Sequence, residues 1–469
     1  MIERIVSPKS NGLARKAAGA ALAALIASYC MLPTSAFAEV RKADIIGDST
    51  VDALGLTVAQ CPNIDAQYAC LMDGEGTIYF QRDATTSSTI ASVTKIMTAI
   101  VACENADTSA SIIVSAEAAE IGESSAGLQE GDAMDFDTAL KALLVPSGND
   151  AAIALAQTVG QQMINKDASL GTDPIQVFVD AMNKKAAELG CQNTVYENPH
   201  GLDYDEYAGN LHSDAIDQAL IGRYAMSITK IKNIVGGGST TITVTRDNAP
   251  VEIELETTDL LLDWYEYATG IKTGMTESAG YCFSGAANNG VFDLYAVVLN
   301  SSSSEQRFYD AEALLEWGYE HIVDYKLANS PLQASMTVNG QTSQVPVIAK
   351  AAHADWTDVT VDVTLAEPNK QVRLFDLNGN VSQEIELDEI RGNVKAGDKV
   401  GTIRFYQHNS VIETMDLVAC RDVSAPNPIE WLGITWTRLT AGFTGAQTVA
   451  ETEIYNTMAL LNNKQSDAS

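Results

Sequence analysis

Ala91-Ser92-Val93-Thr94-Lys95-Ile96-Met97-Thr98 sets a hydroxyl and an amine three residues apart at the head of an apolar stretch that runs to Asn105. If Ser92 opens a helix, Lys95 lies one turn on and on the same face, within reach of the hydroxyl. A serine hydroxyl is a weak nucleophile at neutral pH and needs a base beside it. Lysine serves as that base only while neutral, a state favoured by burial and by a second cation such as Lys272. Alone, this spacing recurs by chance in most long chains, so its meaning rests on what surrounds it.

Two further motifs follow in order. Ser147-Gly148-Asn149, after Pro146, falls in a turn between two helical stretches. Its serine is placed to relay a proton towards a leaving amine, and its asparagine to orient Lys95 or a substrate amide. Read by itself, the turn is only a polar cap for the helix from Asp150. Lys272-Thr273-Gly274 precedes the strand that contains Tyr281. There the lysine supplies positive charge, the threonine a hydroxyl for a carboxylate, and the glycine room for a substrate backbone. No Ser-His-Asp arrangement competes, because the chain has five histidines and no serine framed as GxSxG. His200 and His212, the two histidines of this stretch, read as structural.

The surrounding periodicity specifies an α+β domain. Ala69-Cys70-Leu71-Met72 and Thr77-Ile78-Tyr79-Phe80 flank the turn Asp73-Gly74-Glu75-Gly76, a hairpin pattern. Helical stretches follow over 92–105, 136–144, 150–159 and 174–189, then strands near 241–244, 281–283 and 294–299, and a helix over 307–319. Strands at both ends of a helical middle predict an antiparallel sheet with helices packed on it. Past Lys326 the period becomes alternating, with Val359, Val361, Val363 and Leu365 on one face and hairpin signals at Asn339-Gly340 and Asn378-Gly379. The expected division is a signal peptide over 1–38, a catalytic domain over 39–325, a small all-β domain over 326–423 and an amphipathic tail over 424–469.

Taken together, the three motifs match the SxxK, SDN and KTG set of penicillin-binding proteins and β-lactamases, with SGN in the middle place. The chain resembles the low-molecular-mass penicillin-binding D-alanyl-D-alanine carboxypeptidases over roughly 60–420. Ser124-Ser125-Ala126-Gly127-Leu128, Asn198-Pro199-His200-Gly201-Leu202-Asp203, Gly270-Ile271-Lys272-Thr273-Gly274 and Leu314-Leu315-Glu316-Trp317-Gly318-Tyr319 carry the resemblance further. It implies the penicillin-binding/serine β-lactamase fold followed by a β-rich domain, acylation of Ser92, Lys95 as base, and Ser147, Asn149 and Lys272 in the proton network. It also implies Thr273 on the substrate carboxylate, Gly274 beside the substrate, the N–H groups of Ser92 and Met275 as an oxyanion hole, and Arg307 as an aid to carboxylate binding. Its partners would be peptidoglycan stem peptides ending in D-Ala-D-Ala and β-lactams as covalent inhibitors, with no cofactor. Ala91 stands where proline is frequent, Thr269 where aspartate is, and Thr257-Thr258-Asp259 where an asparagine-rich turn is usual. A β-lactamase is the alternative enzyme, disfavoured by the absence of an ExxLN segment, and an idle wall-binding scaffold is the alternative outside catalysis.

The ends and composition place this chemistry outside the cytoplasm. Arg4, Lys9, Arg15 and Lys16 lead into an apolar run from Ala17 to Leu32 and the small-residue site Ala36-Phe37-Ala38, a signal-peptide pattern. A membrane-anchoring helix or a lipoprotein through Cys30 fits less well, the run being short and Tyr29 bulky. A net charge of −32 argues against nucleic acid and against electrostatic capture by anionic lipid. Cys61, Cys70, Cys103, Cys191, Cys282 and Cys420 permit disulfides, Cys61–Cys70 among them, and none has zinc-ligand spacing. In the tail, Ile429, Leu432, Trp436, Leu439 and Phe443 form an apolar helical stripe. Two readings stand for it: a helix packed back on the protein, or an interfacial membrane anchor.

Overall fold

In the computed structural model, which describes residues 40–445 and 447–461, the turn at Asp73 joins two strands as expected. The Asp73 carboxylate holds that turn by accepting from Glu75 N–H (3.0 Å), Thr77 N–H (2.8 Å) and the Tyr79 hydroxyl (2.8 Å). The expected signal peptide lies outside the described residues. The chain divides into two units, Met1–Glu316 and Trp317–Ser469.

In the first unit a seven-stranded sheet runs in the order β2-β1-β4-β3-β11-β10-β9. Its strands are β1 (Ile45–Ile46), β2 (Ser49–Thr50), β3 (Tyr68–Asp73), β4 (Ile78–Arg82), β9 (Ala268–Thr276), β10 (Gly280–Asn288) and β11 (Asp293–Ser301), and every pairing is antiparallel. Leu294 to Leu299 are all buried on β11, as a continuous apolar run in mid-sheet requires. β9 forms one edge, which leaves one side of it unpaired by any strand. A smaller sheet joins β5 (Ile112–Ile113), β6 (Ala133–Met134), β7 (Thr240–Arg246) and β8 (Ala249–Leu255).

The longer helices are α1 (Lys95–Asn105), α2 (Phe136–Leu144), α3 (Asn149–Lys166), α4 (Pro174–Glu188), α5 (Ala215–Ser227) and α6 (Gln306–His321). Lys95 to Ala102 are buried without a break, so α1 is the central helix of the core and not a surface element. α5 is absent from the periodic reading for a physical reason: its buried residues include Asp217 and Gln218. Asp217 accepts from Gln192 N–H, Asn193 N–H and the Thr194 hydroxyl, and Gln218 donates to Ser213 Oγ, so polar residues occupy core positions that apolar periodicity does not mark.

In the second unit a six-stranded sheet orders β18 (Ser382–Leu387), β19 (Lys399–Gln407), β20 (Ser410–Ala419), β16 (Thr360–Leu365), β15 (Ala349–Ala352) and β21 (Glu453–Ile454). Two-stranded ladders pair β12 (Ile322–Lys326) with β17 (Gln371–Phe375) and β13 (Gln333–Val338) with β14 (Gln341–Pro346). Asn339 and Gly340, at φ 56° and 79°, make the expected hairpin turn. Asn378-Gly379 does not: it closes a short 3₁₀ turn between β17 and β18, which pair with other strands. Val361, Val363 and Leu365 point into this unit's core as their alternation predicts.

The tail forms helix α7 (Pro428–Thr444), started by a capping box between Asn427 and Glu430 and ended at Gly445 in the left-handed region. Its stripe faces outward: Ile429, Leu432, Trp436, Leu439 and Phe443 are all exposed, Phe443 by 88%. A different line of residues packs inward, with Ile434 and Ala441 buried and Arg438 donating to the carbonyls of Ala354 and Trp356. The chain then returns to the sheet as β21, where buried Asn456 bonds to Leu327 O, Gln383 Oε1 and Asn329 N–H. Among the described residues no helix is long and apolar enough to cross a membrane. All six cysteines from Cys61 to Cys420 are unpaired thiols; Cys70 is wholly buried on β3, and no Cys61–Cys70 loop is closed.

Candidate active site

Ser92 lies in a 3₁₀ turn, Ala91–Thr94, and α1 begins at Lys95, so the serine sits one turn before the helix that it was expected to open. The preceding residue, Ala91, is held at φ +48°, a conformation costly for a residue with a Cβ. Two glycines press on this turn. A Cβ at Gly201 would stand 2.0 Å from Ala91 O, and one at Gly274 would stand 2.6 Å from Ile90 O and 3.1 Å from Val93 N. The protein's own backbone therefore already requires the glycine of Lys272-Thr273-Gly274.

Lys95 is fully buried, with Nζ 2.8 Å from Ser92 Oγ, 2.6 Å from Asn149 Oδ1 and 2.8 Å from His200 O. Two of these partners can only accept. They match the two N–H bonds of a neutral amine, leaving its lone pair for the Ser92 hydroxyl proton. Burial, and then the Lys272 cation, hold the Lys95 amine well below the usual lysine range, while Asp150 opposes the shift. An amine so placed can take a proton at neutral pH, which a solvated lysine cannot.

Ser147 occupies the turn before α3 at φ +67°, buried, with no hydrogen-bond partner for its Oγ. Asn149 opens α3 and donates to Gly122 O, which fixes its amide with the oxygen towards Lys95. Asp150, in the first turn of α3, also holds a loop. Its carboxylate accepts from Ser125 Oγ and the N–H groups of Ala126 and Leu128, pinning the 124–128 loop against the start of α3.

Lys272, Thr273 and Gly274 precede the strand that contains Tyr281, as expected, and are themselves part of a strand, β9, in register with Ser284, Phe283 and Cys282 of β10. Lys272 is buried and its pKa is lowered to about 7, by burial first and Arg307 second. Its Nζ donates to Thr273 O at 3.1 Å, and Thr273 Oγ1 shares a proton with Thr258 Oγ1 at 2.7 Å. Arg307 stacks on Phe308 and donates to Gly274 O at 3.2 Å. Because a trans peptide points its N–H opposite its carbonyl, Met275 N–H is directed away from Arg307. Behind them, burial pushes the Asp259 carboxyl up to about 7 despite Leu261 N–H and the Lys272 and Arg307 cations.

A cleft of about 830 Å³ brings Ser92, Ser147, Asn149, Thr273, Gly274, Met275 and Arg307 to one surface, with Glu123, Asp203, Asp205 and Glu277 also on its wall. His200 supplies a carbonyl and no acid–base chemistry: burial and Lys95 hold its imidazole down to about 3, and Nδ1 accepts from Leu202 N–H. His212 makes a loop contact with Asn210 O. The His200 carbonyl, the Thr258 hydroxyl and the loop-holding role of Asp150 escaped sequence reasoning. His200 and Thr258 stand in stretches quoted above, but a backbone carbonyl and a long-range hydroxyl contact leave no mark in residue type.

A hydroxyl bonded to a desolvated amine, facing a cationic strand edge across a cleft, defines a serine peptidase of the acyl-enzyme class. A family model described as D-alanyl-D-alanine carboxypeptidase matches residues 56–303, just over half of the chain. The chain belongs to that family. It is 27% identical over 386 residues to the Bacillus subtilis D-alanyl-D-alanine carboxypeptidase DacF, covering 80% of this chain and 90% of that one. It is 28% identical over 388 residues to Escherichia coli DacC, covering 78% and 86%. A point mutant of the Streptomyces K15 DD-transpeptidase superposes with a TM-score of 0.51 at 28% identity, over 55% of this chain and all of that one. The Francisella tularensis DacD structure, at 24% identity and a TM-score of 0.52, covers 77% of this chain and 94% of its own and bears on the fold alone. The protein is thus a serine-type D-alanyl-D-alanine carboxypeptidase, of a family that acts on peptidoglycan peptides ending in D-Ala-D-Ala and binds β-lactams covalently.

Proposed function

We propose that Ser92 is the residue acylated, with Lys95 as its base. The observation that carries this is the contact between Lys95 Nζ and Ser92 Oγ at 2.8 Å, beside two carbonyl acceptors. The Ser92 oxygen attacks the penultimate carbonyl as its proton passes to Lys95. The C–N bond then breaks, D-alanine leaves with a proton relayed by the otherwise unpartnered Ser147 hydroxyl, and water hydrolyses the ester by the reverse proton path. Asn149 holds the Lys95 amine. Lys272 and Thr273 bind the substrate's terminal carboxylate. Arg307 adds positive charge and fixes the Gly274 peptide, and the N–H groups of Ser92 and Met275 receive the oxyanion. Mass spectrometry after penicillin should map one adduct to Ser92. Ser92→Ala should abolish both the adduct and D-alanine release, and full-stoichiometry labelling of that variant would remove Ser92 from the role.

The leader and tail extend the reading to location. We propose export with cleavage after Ala38, and peripheral attachment to the outer face of the cytoplasmic membrane through α7. Six apolar side chains, the stripe and Trp431, are exposed on one helix, and partial burial of such residues in an interface contributes on the order of 5 kcal/mol. Arg438 is turned inward to Ala354 and Trp356, so the attachment is hydrophobic and survives high salt. Trp436→Ser with Phe443→Ser should reduce liposome co-flotation at unchanged D-alanine release. Equal flotation of parent and variant would reject the anchor.

A further inference from the structure

Asp259 is a buried acid that the proposed chemistry leaves unused. It is 4% exposed; Oδ1 accepts from Leu261 N–H at 3.1 Å, and Oδ2 is out of water without a hydrogen-bond partner. A carboxylate in that state is costly unless positive charge lies close by. Its segment is held against the site from both sides. Thr258 N–H donates to Val145 O at 3.2 Å, two residues before Ser147, and Thr258 Oγ1 lies 2.7 Å from Thr273 Oγ1 on β9. A few residues on, Trp264 packs edge-on against Phe308, the ring over which Arg307 lies at the start of α6. The segment that carries Asp259 thus bridges the two elements that carry Lys272 and Arg307.

Both cations lack a carboxylate partner in direct contact. Lys272 Nζ donates to Thr273 O and Arg307 Nη1 to Gly274 O, while Arg307 Nε is buried and unpartnered. Lys272 is itself buried, with Nζ 3.5 Å from Thr273 Oγ1, so its charge reaches a carboxylate at Thr273 from behind the strand. The charged groups that face Asp259 are Lys272 of β9, Arg307 of α6 and Asp263 on its own segment. Lys272 faces Arg307, Asp259 and, on α1, Lys95. Burial first, and then Arg307, work to strip Lys272 of its proton, and Asp259 opposes them.

We propose that Asp259 is a positioning residue for carboxylate capture: as the buried counter-charge behind β9, it keeps Lys272 a cation at neutral pH and so sets the upper pH limit for free-acid peptides. Asp259 does not line the cleft and acts through Lys272. The inference rests on the Lys272 reading above and adds the residue that sustains the charge that reading needs.

The test measures kcat/KM on the full purified chain for an N-acetylated tripeptide ending in D-Ala-D-Ala and for its C-terminal amide, from pH 5 to 9. The acid-over-amide ratio isolates carboxylate capture and is internal to each protein, so a partial loss of folded enzyme does not alter it. In the parent the ratio should fall as pH rises through about 7. Asp259→Asn keeps an oxygen for Leu261 N–H and removes the charge, so the fall should come about one unit lower. At pH 7 the ratio should then be about fivefold below that of the parent, with the loss in KM for the acid, and at pH 5 the two proteins should agree. Asp259→Ser, whose hydroxyl is also a hydrogen-bond acceptor, should shift the same way and decides the matter if the asparagine variant does not fold. Equal midpoints in the parent and a folded neutral variant would overturn the proposal. So would acid and amide rates falling together at every pH, the mark of a merely structural residue. A parent ratio flat from pH 5 to 9 would overturn the Lys272 reading and this one with it.

Discussion

Asn149→Asp tests the neutral-lysine chemistry with the smallest change in shape. It replaces an amide whose oxygen lies 2.6 Å from Lys95 Nζ by a carboxylate of nearly equal size. At that distance and an effective dielectric of about 20, an ion pair gains about 6 kcal/mol. Loss of the Asn149 bond to Gly122 O and desolvation of the new charge offset part of it. Taking half, about 3 kcal/mol, raises the Lys95 pKa by about two units. The neutral fraction at pH 7 then falls by up to about a hundredfold, and the second-order rate of penicillin acylation with it. Rapid-quench mass spectrometry of the adduct between pH 6 and 10 measures this. The variant should show the deficit at pH 7 and recover as pH rises, because the proton that blocks the amine is titrated away. Acylation within about threefold of the parent at pH 7, or a deficit equal at every pH, would refute the neutral-amine reasoning. A circular-dichroism melt of the variant separates this from unfolding.

Three further outcomes are expected. Lys272→Ala should lower kcat/KM for a free-acid peptide far more than for its C-terminal amide. In the parent the free-acid advantage should decline as pH rises through about 7, where the depressed Lys272 loses its charge, and an advantage constant to pH 9 would argue against that role. Gly274→Ala would place a Cβ 2.6 Å from Ile90 O, so the turn carrying Ser92 must shift; acylation should drop by about 10²-fold, with about 1–3 kcal/mol of stability lost to overpacking. Asn456→Ala removes three hydrogen bonds made by a buried side chain and should destabilise the second unit by about 2–4 kcal/mol in a thermal melt while penicillin acylation is retained. By the same logic, truncation after Ser424 removes β21 and is not a clean test of the membrane helix.

The three motifs were legible because each is local: hydroxyl, amine and glycine at short spacings that a turn or a strand converts directly into proximity. Helices of single apolar face, α2 and α4 among them, were legible for the same reason, as was the Asn339-Gly340 turn, whose backbone demands those residues. Asn378-Gly379 has the same local chemistry, yet it closes no hairpin, because its flanking strands pair in different sheets, β17 with β12 and β18 with β19.

What sequence determined, then, is which groups carry chemistry and which stretches are amphipathic, since side-chain type and period are written residue by residue. Contacts between distant backbone atoms are not. The His200 carbonyl on Lys95, 105 residues away, carries no residue-type signal, and neither does the pressure of Ile90 O that makes Gly274 a glycine. Long-range burial, with the Lys272 cation second, holds the Lys95 amine well below the usual lysine range, since the same amine in water would stay protonated at pH 7. The tail shows the division most plainly. Its stripe is visible in sequence, but only tertiary packing turned Ile434, Arg438 and Ala441 inward and left Trp436 and Phe443 outside. On that side the half-buried Arg438 meets the carbonyls of Ala354 and Trp356, and a guanidinium drawn partly out of water takes such partners where the fold supplies them.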